Sequence, residues 1–121
     1  MKFSMQKRRI VIMGAAGRDF HNFNTIYKDD ESFEVVAFTA SQIPGISKRK
    51  YPASLAGRLY SKGIDIEDEN DLEKIIKEEK ADECVLSYSD LSYAQVMHLA
   101  SRVLASGAAF SMLGASQTML E

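Results

Sequence analysis

A chain of 121 residues, 45% hydrophobic and 26% charged, has the length and balance of one compact globular domain. Its net charge of −2 supplies no basic field to draw in nucleic acid or an acidic membrane surface. One cysteine rules out an intrachain disulfide, and two isolated histidines beside it speak against a dedicated zinc site.

Residues 1–8 are polar and basic and read as a flexible lead-in, with the domain proper running over residues 9–121. Basic runs at Lys7-Arg8-Arg9 and Lys48-Arg49-Lys50 read as solvated surface. Residues 9–13 make a first strand whose apolar run suits burial on both faces of a parallel sheet. A turn bearing Gly14 and Gly17 follows, and Phe20, Phe23 and Tyr27 then recur as one stripe of a helix. Residues 34–40, EVVAFTA, form a second buried strand rich in β-branched and aromatic side chains. Residues 41–62 are too long for a plain loop and too broken for one helix. Pro44, Gly45 and Pro52 punctuate them, with room for a short helix over 53–60.

A short third strand is expected at 63–66. An amphipathic helix over 71–79 then turns Leu72, Ile75 and Ile76 inward. The fourth strand, 83–88, holds Cys84 in an apolar run where a thiol behaves as a small hydrophobe. Ser92 has the chemistry of an N-cap for a helix reaching Ala105, with Val96, Met97, Ala100, Val103 and Leu104 toward the core. His98 shares a different, solvated or interfacial face with Gln95 and Arg102. Gly107 ends that helix, and 110–113 is a fifth strand; Met97 and Met112 read as core. Strands alternating with helices predict an α/β, Rossmann-like, doubly wound parallel sheet of about five strands in three α/β/α layers. No signal peptide or long apolar span is seen, which points to the cytoplasm.

In such a sheet ligands sit outside the carboxyl ends of the strands, where strand order reverses. The candidate lining is therefore residues 14–22, 39–42 and 87–92, with Gly14, Ala15, Ala16, Gly17, Arg18, His21, Asn22, Thr39, Ser89 and Asp90 as the binding candidates within it. Backbone N–H groups at the start of a helix favour an anion, and Arg18 offers a bidentate clamp with His21 as a further donor. Both also fit a plain surface arginine and a histidine capping the first turn. Asp90 is either a general base or ligand-hydroxyl acceptor, or a turn residue bonding local N–H groups. A dinucleotide site is disfavoured. Phe20 stands where a third glycine belongs, and Thr39-Ala40-Ser41-Gln42 replaces the acidic ribose ligand after the second strand.

The stretches RRIVIMGAAGRDFHNFN, EVVAFTASQIPGI, YPASLAGRLYSKGI and SYSDLSYAQVMHLASRVLASGAAFSMLG together resemble the amino-terminal part of cyclic 2,3-diphosphoglycerate synthetases, P-loop GTPase-like proteins. The resemblance implies a larger ATP-dependent ligase, with ATP or GTP and magnesium held by a carboxy-terminal P-loop domain and a small phosphorylated ligand as substrate. No G-x-x-x-x-G-K-[ST] occurs in this chain, so no cofactor is expected to bind tightly to it alone. The expected role is phosphate or anion binding by a domain inactive by itself, with a homodimer as one mode of assembly. The alternative is a stand-alone nucleotide- or coenzyme-binding module without catalysis.

Overall fold

The computed structural model describes residues 7–14, 23–40, 49–87 and 92–112. Six strands form one sheet: β1 (Arg8–Met13), β2 (Phe33–Ala40), β3 (Arg49–Tyr51), β4 (Ile64–Asp68), β5 (Glu83–Leu86) and β6 (Ala109–Met112). Their order is β3-β4-β2-β1-β5-β6. All neighbours run parallel except β3, which pairs antiparallel to β4 with Tyr51 opposite Ile64. β3 is a sixth strand where about five were expected. A three-residue edge strand followed at once by Pro52 is too short to show a period of two. β1 begins at Arg8, inside the expected lead-in, because Arg8 continues the ladder opposite Phe33.

Alternation along β1 divides the core between the two faces of the sheet. Ile10 and Ile12 pack with Val35, Phe38, Tyr51, Ala56, Tyr60 and Ile64 around Phe23. The Phe23 ring meets Phe38, Tyr51 and Tyr60 edge-on at centroid distances of 5.7, 5.6 and 5.3 Å. Phe23–Tyr27 is a π-helical turn, so only this part of the expected first helix falls within the described residues. A short α1 (Ala53–Ala56) covers the same face and stops at Gly57, well before residue 60. Gly63, at φ +76°, then turns the chain into β4; a Cβ there would stand 2.5 Å from the Tyr51 carbonyl oxygen.

The opposite face carries Val11, Met13, Ala37, Cys84 and Leu86 beneath α2 (Leu72–Glu79) and α3 (Tyr93–Ala105). α2 buries Leu72, Ile75 and Ile76, as its spacing predicts. α3 opens on a full capping box: the Ser92 hydroxyl accepts from the Gln95 N–H at 3.1 Å, and the Gln95 side chain accepts from the Ser92 N–H at 2.9 Å. It ends where Gly107 takes φ +93°. Its buried side is Leu99, Ala100 and Val103, with Val96 partly covered; Met97 and Leu104, expected in the core, are exposed, and so is Met112. The physical reason is width. The apolar arc of α3 spans roughly 160° at 100° per residue, more than one sheet face covers.

Candidate functional site at the carboxyl ends of the strands

β1 lies between β2 and β5, and the chain leaves it in opposite directions: through β2 to β4 on one side, through β5 to β6 on the other. The β1–β5 boundary is therefore the point of reversal, where ligands bind in this architecture. Three strand ends meet there. The Gly14 N–H donates to the Thr39 carbonyl at 2.8 Å, and the Ser87 N–H donates to the Met13 carbonyl at 3.0 Å. Gly14 sits at φ +110°, in the left-handed region where a side chain is disfavoured, so the chain leaves β1 by a turn that favours glycine.

Thr39 is the polar feature of this corner. It pairs with Met13 on one side and Glu67 on the other, and it is fully buried. Among the described residues its Oγ1 has no hydrogen-bond partner. A buried hydroxyl left unmade costs about 1–3 kcal/mol, and such groups in folded proteins tend to have a reason. Two residues on from Ala37, Thr39 shares the sheet face covered by α2 and α3. Ser87, also buried, follows β5 on the other side of β1.

Of the residues singled out from sequence, Gly14 and Thr39 are thus brought into direct contact through their backbones. Ala15, Ala16, Gly17, Arg18, His21, Asn22, Ser89 and Asp90 lie outside the described residues. Ser87 opens the third stretch of the expected lining, and its N–H bond to the Met13 carbonyl sets it at the end of β1.

The charges near the sheet's other end serve the fold. The Arg9 guanidinium donates to Glu34 Oε1 at 2.9 Å, to the Glu79 carbonyl at 2.6 Å and to Glu79 Oε1 at 3.3 Å, while the Arg9 backbone N–H donates to Asp82 Oδ2 at 2.8 Å. Arg8 pairs with Glu83 at 2.9 Å, and Ser111 Oγ donates to the same carboxylate. Arg8 and Arg9 are therefore cross-strand ties rather than a solvated basic run. A groove of about 400 Å³ bounded by Lys7, Arg9, Glu34, Lys80 and Asp82 lies among these ion pairs, at the amino ends of the strands and away from the site. Burial pushes the Cys84 thiol up to about 12, with the Glu83 carboxylate adding to the effect, so it is inert packing. Among the described residues, no three His, Cys, Asp or Glu side chains gather to hold a metal, and no helix is long and apolar enough to cross a membrane.

The class defined by this topology is a Rossmann-like α/β domain. The chain is 57% identical over 116 residues to the arginine synthetase ArcE of Thermococcus kodakarensis, a match covering 96% of this chain and 26% of that protein. It thus spans about a quarter of the length of that curated relative. No protein-family model matches the chain. UDP-D-quinovosamine 4-dehydrogenase from Vibrio fischeri superposes with a TM-score of 0.67 at 17% identity, over 92% of this chain and 82% of that one. RSP, a Rex-family repressor, follows at 0.66 and 13% identity, over 94% of this chain and 56% of that one. RSP in complex with beta-NADH gives 0.63 and 13% identity, over 93% and 56%. At these identities the likeness establishes the Rossmann-like fold alone.

Proposed function

We propose that this chain is the Rossmann-like, anion- and nucleotide-binding domain of a synthetase, in line with the name of the arginine synthetase it matches, and that the whole protein depends on ATP, as its resemblance to the cyclic 2,3-diphosphoglycerate synthetases implies. The observation that carries the reading is the 57% identity along almost the whole chain to one portion of a protein about four times its length. The corner at Gly14, Thr39 and Ser87 supports it: a glycine-dependent turn leaves β1 at the reversal point, next to a buried hydroxyl that awaits an acceptor. In this reading the turn of residues 14–22 receives a phosphate or carboxylate, with Arg18 as its clamp, and Thr39 donates to the ligand when it is bound. Phosphoryl chemistry with ATP and magnesium belongs to a P-loop partner domain, since the sequence here carries no such loop. NADH, bound by one structural neighbour, is not the ligand, because Phe20 and the Thr39-Ala40-Ser41-Gln42 stretch lack the dinucleotide features.

The test compares wild type, Arg18→Ala and Thr39→Val by backbone amide spectra during titration with inorganic phosphate, ATP, arginine and NADH. Phosphate or ATP is expected to move the signals of residues 14–22 and Thr39, and both substitutions to weaken that response. Thr39→Val is also expected to raise stability by about 1 kcal/mol, because it removes an unmade hydrogen bond. Unmoved signals with every anion, or a response to NADH alone, would overturn the reading.

A further inference from the structure

The ladder between β2 and β4 sets a carboxylate beside the Thr39 hydroxyl. Thr39 pairs with Glu67 and Ala40 with Asp68, and side chains alternate between faces along each strand. Ile66, opposite Phe38, packs on the face of Phe23. Glu67 therefore shares the other face with Thr39, next to it at the carboxyl edge of the sheet, and is half-buried there. Asp68 is committed elsewhere: its carboxylate accepts from the Asn70 N–H at 2.8 Å and caps the turn that leads into α2.

The two side chains offer different halves of a hydrogen bond. An ionised carboxylate accepts, whereas the Thr39 hydroxyl, buried and without a partner among the described residues, has a proton to give. A ligand hydroxyl suits both, donating to Glu67 and accepting from Thr39; an ammonium group can only donate. Glu67 repels an anion placed directly upon it, so the anionic end of the ligand lies away from this pair. β2 and β1 are successive neighbours of β4, each about 4.8 Å further on, which puts Gly14 at the end of β1 about 10 Å from the Glu67 strand. Inorganic phosphate is too short for that span. A ribose carrying a phosphate on its fifth carbon covers it, with a hydrogen bond of about 3 Å at each end.

We propose that Glu67 is the specificity-determining residue of the site, accepting from a sugar hydroxyl of a ribose phosphate whose phosphate rests at the Gly14 turn. This role rests on the reading of the Gly14 turn as an anion site. It moves the acidic ligand of a ribose from the end of β2, where this sequence has Thr39-Ala40-Ser41-Gln42, to the end of the next strand. Phe20, in place of a third glycine, still disfavours a pyrophosphate. The ligand class is therefore a single ribose 5-phosphate unit, free or within a mononucleotide.

Wild type, Glu67→Gln and Asp65→Asn are titrated with inorganic phosphate, ribose 5-phosphate and AMP, following the amide signals of Gly14, Thr39 and residue 67. Wild type is expected to bind ribose 5-phosphate about tenfold or more tightly than phosphate. AMP equal to ribose 5-phosphate assigns the free sugar phosphate, and tighter AMP assigns the mononucleotide. Glu67→Gln is expected to weaken both sugar ligands about tenfold, because a charge-assisted bond is lost. The same variant is expected to bind inorganic phosphate as well as wild type or better, since a repelling carboxylate has gone. Opposite directions for the two kinds of ligand separate recognition from damage to the fold. Asp65→Asn removes the same charge from the same strand, at an exposed pair with Lys50, and is expected to change none of the affinities. Sugar ligands no tighter than phosphate, or bound equally by wild type and a folded Glu67→Gln, would overturn the role of Glu67 and leave the anion site standing. Silence toward all three ligands would overturn both.

Discussion

β4 pairs with β2 only from Phe38 onward, so the amino-terminal half of β2 has no strand beside it on that flank. Here the register with β1 also slips, with Val35 opposite Ile10 and Ala37 opposite Val11. The Val35 N–H finds its acceptor in the Tyr60 hydroxyl at 3.0 Å, a side chain donated to the sheet from the connection before β4. Burial raises the Tyr60 pKa, so the hydroxyl keeps its proton through the neutral range. Tyr60→Phe keeps the ring against Phe23 but leaves a buried N–H unpaired. The expected loss is about 1–3 kcal/mol in urea unfolding. A change within error of zero would show that water replaces the hydroxyl.

Between elements, the Arg102–Glu73 fork decides how α3 sits. Hydrogen bonds from Arg102 hold the Glu73 carboxyl down to about 2, from an ordinary 4.5. A depressed carboxylate contributes stability that is fully present above pH 4.5 and is lost as pH falls through about 2. Glu73 is half exposed, so screening keeps the contribution below about 1 kcal/mol. The stability gap between wild type and Glu73→Gln is expected to close over that window and to stay constant from pH 5 to 7. A gap that widened on acidification would contradict the pairing.

The same fork explains a misreading of α3. Both Met97–Leu104 and Leu99–Val103 follow helical spacing, and Ala100 belongs with either set, so periodicity alone did not choose the inward arc. The anchoring of Arg102 on α2 chose it, turning Leu99 in and Met97 out. α2 had no such ambiguity, because its apolar stripe is narrow and its other positions are charged.

At the scale of the whole molecule, the described sheet is covered on both faces, while the synthetase chemistry proposed above needs groups that this sequence does not carry. No G-x-x-x-x-G-K-[ST] is present to cradle β- and γ-phosphates. The chain alone is accordingly expected to release no phosphate from ATP above background in a continuous assay with magnesium. Turnover that survives repeated purification and is lost in Arg18→Ala would mean that this domain carries chemistry of its own.

The alternation of buried strands with helices, the Ser92 cap, the Leu72–Ile75–Ile76 stripe and the inert Cys84 were all legible in the residues. Each rests on local rules: a period of two or 3.6, a side chain reaching its own backbone, an apolar neighbourhood along the chain. The glycine turn after the first strand was legible for the same reason, since a chain leaving a buried strand must turn at once. Only the tertiary structure decided the rest. Strand order sets which loop ends meet, and so it brought Gly14, Thr39 and Ser87 to one corner and left the Thr39 hydroxyl without a partner among the described residues. The antiparallel β3, the Tyr60 hydroxyl on β2 and the outward turn of Met97 depend on contacts between residues distant along the chain. No local period encodes such contacts, because the partner's position is fixed only when the sheet closes.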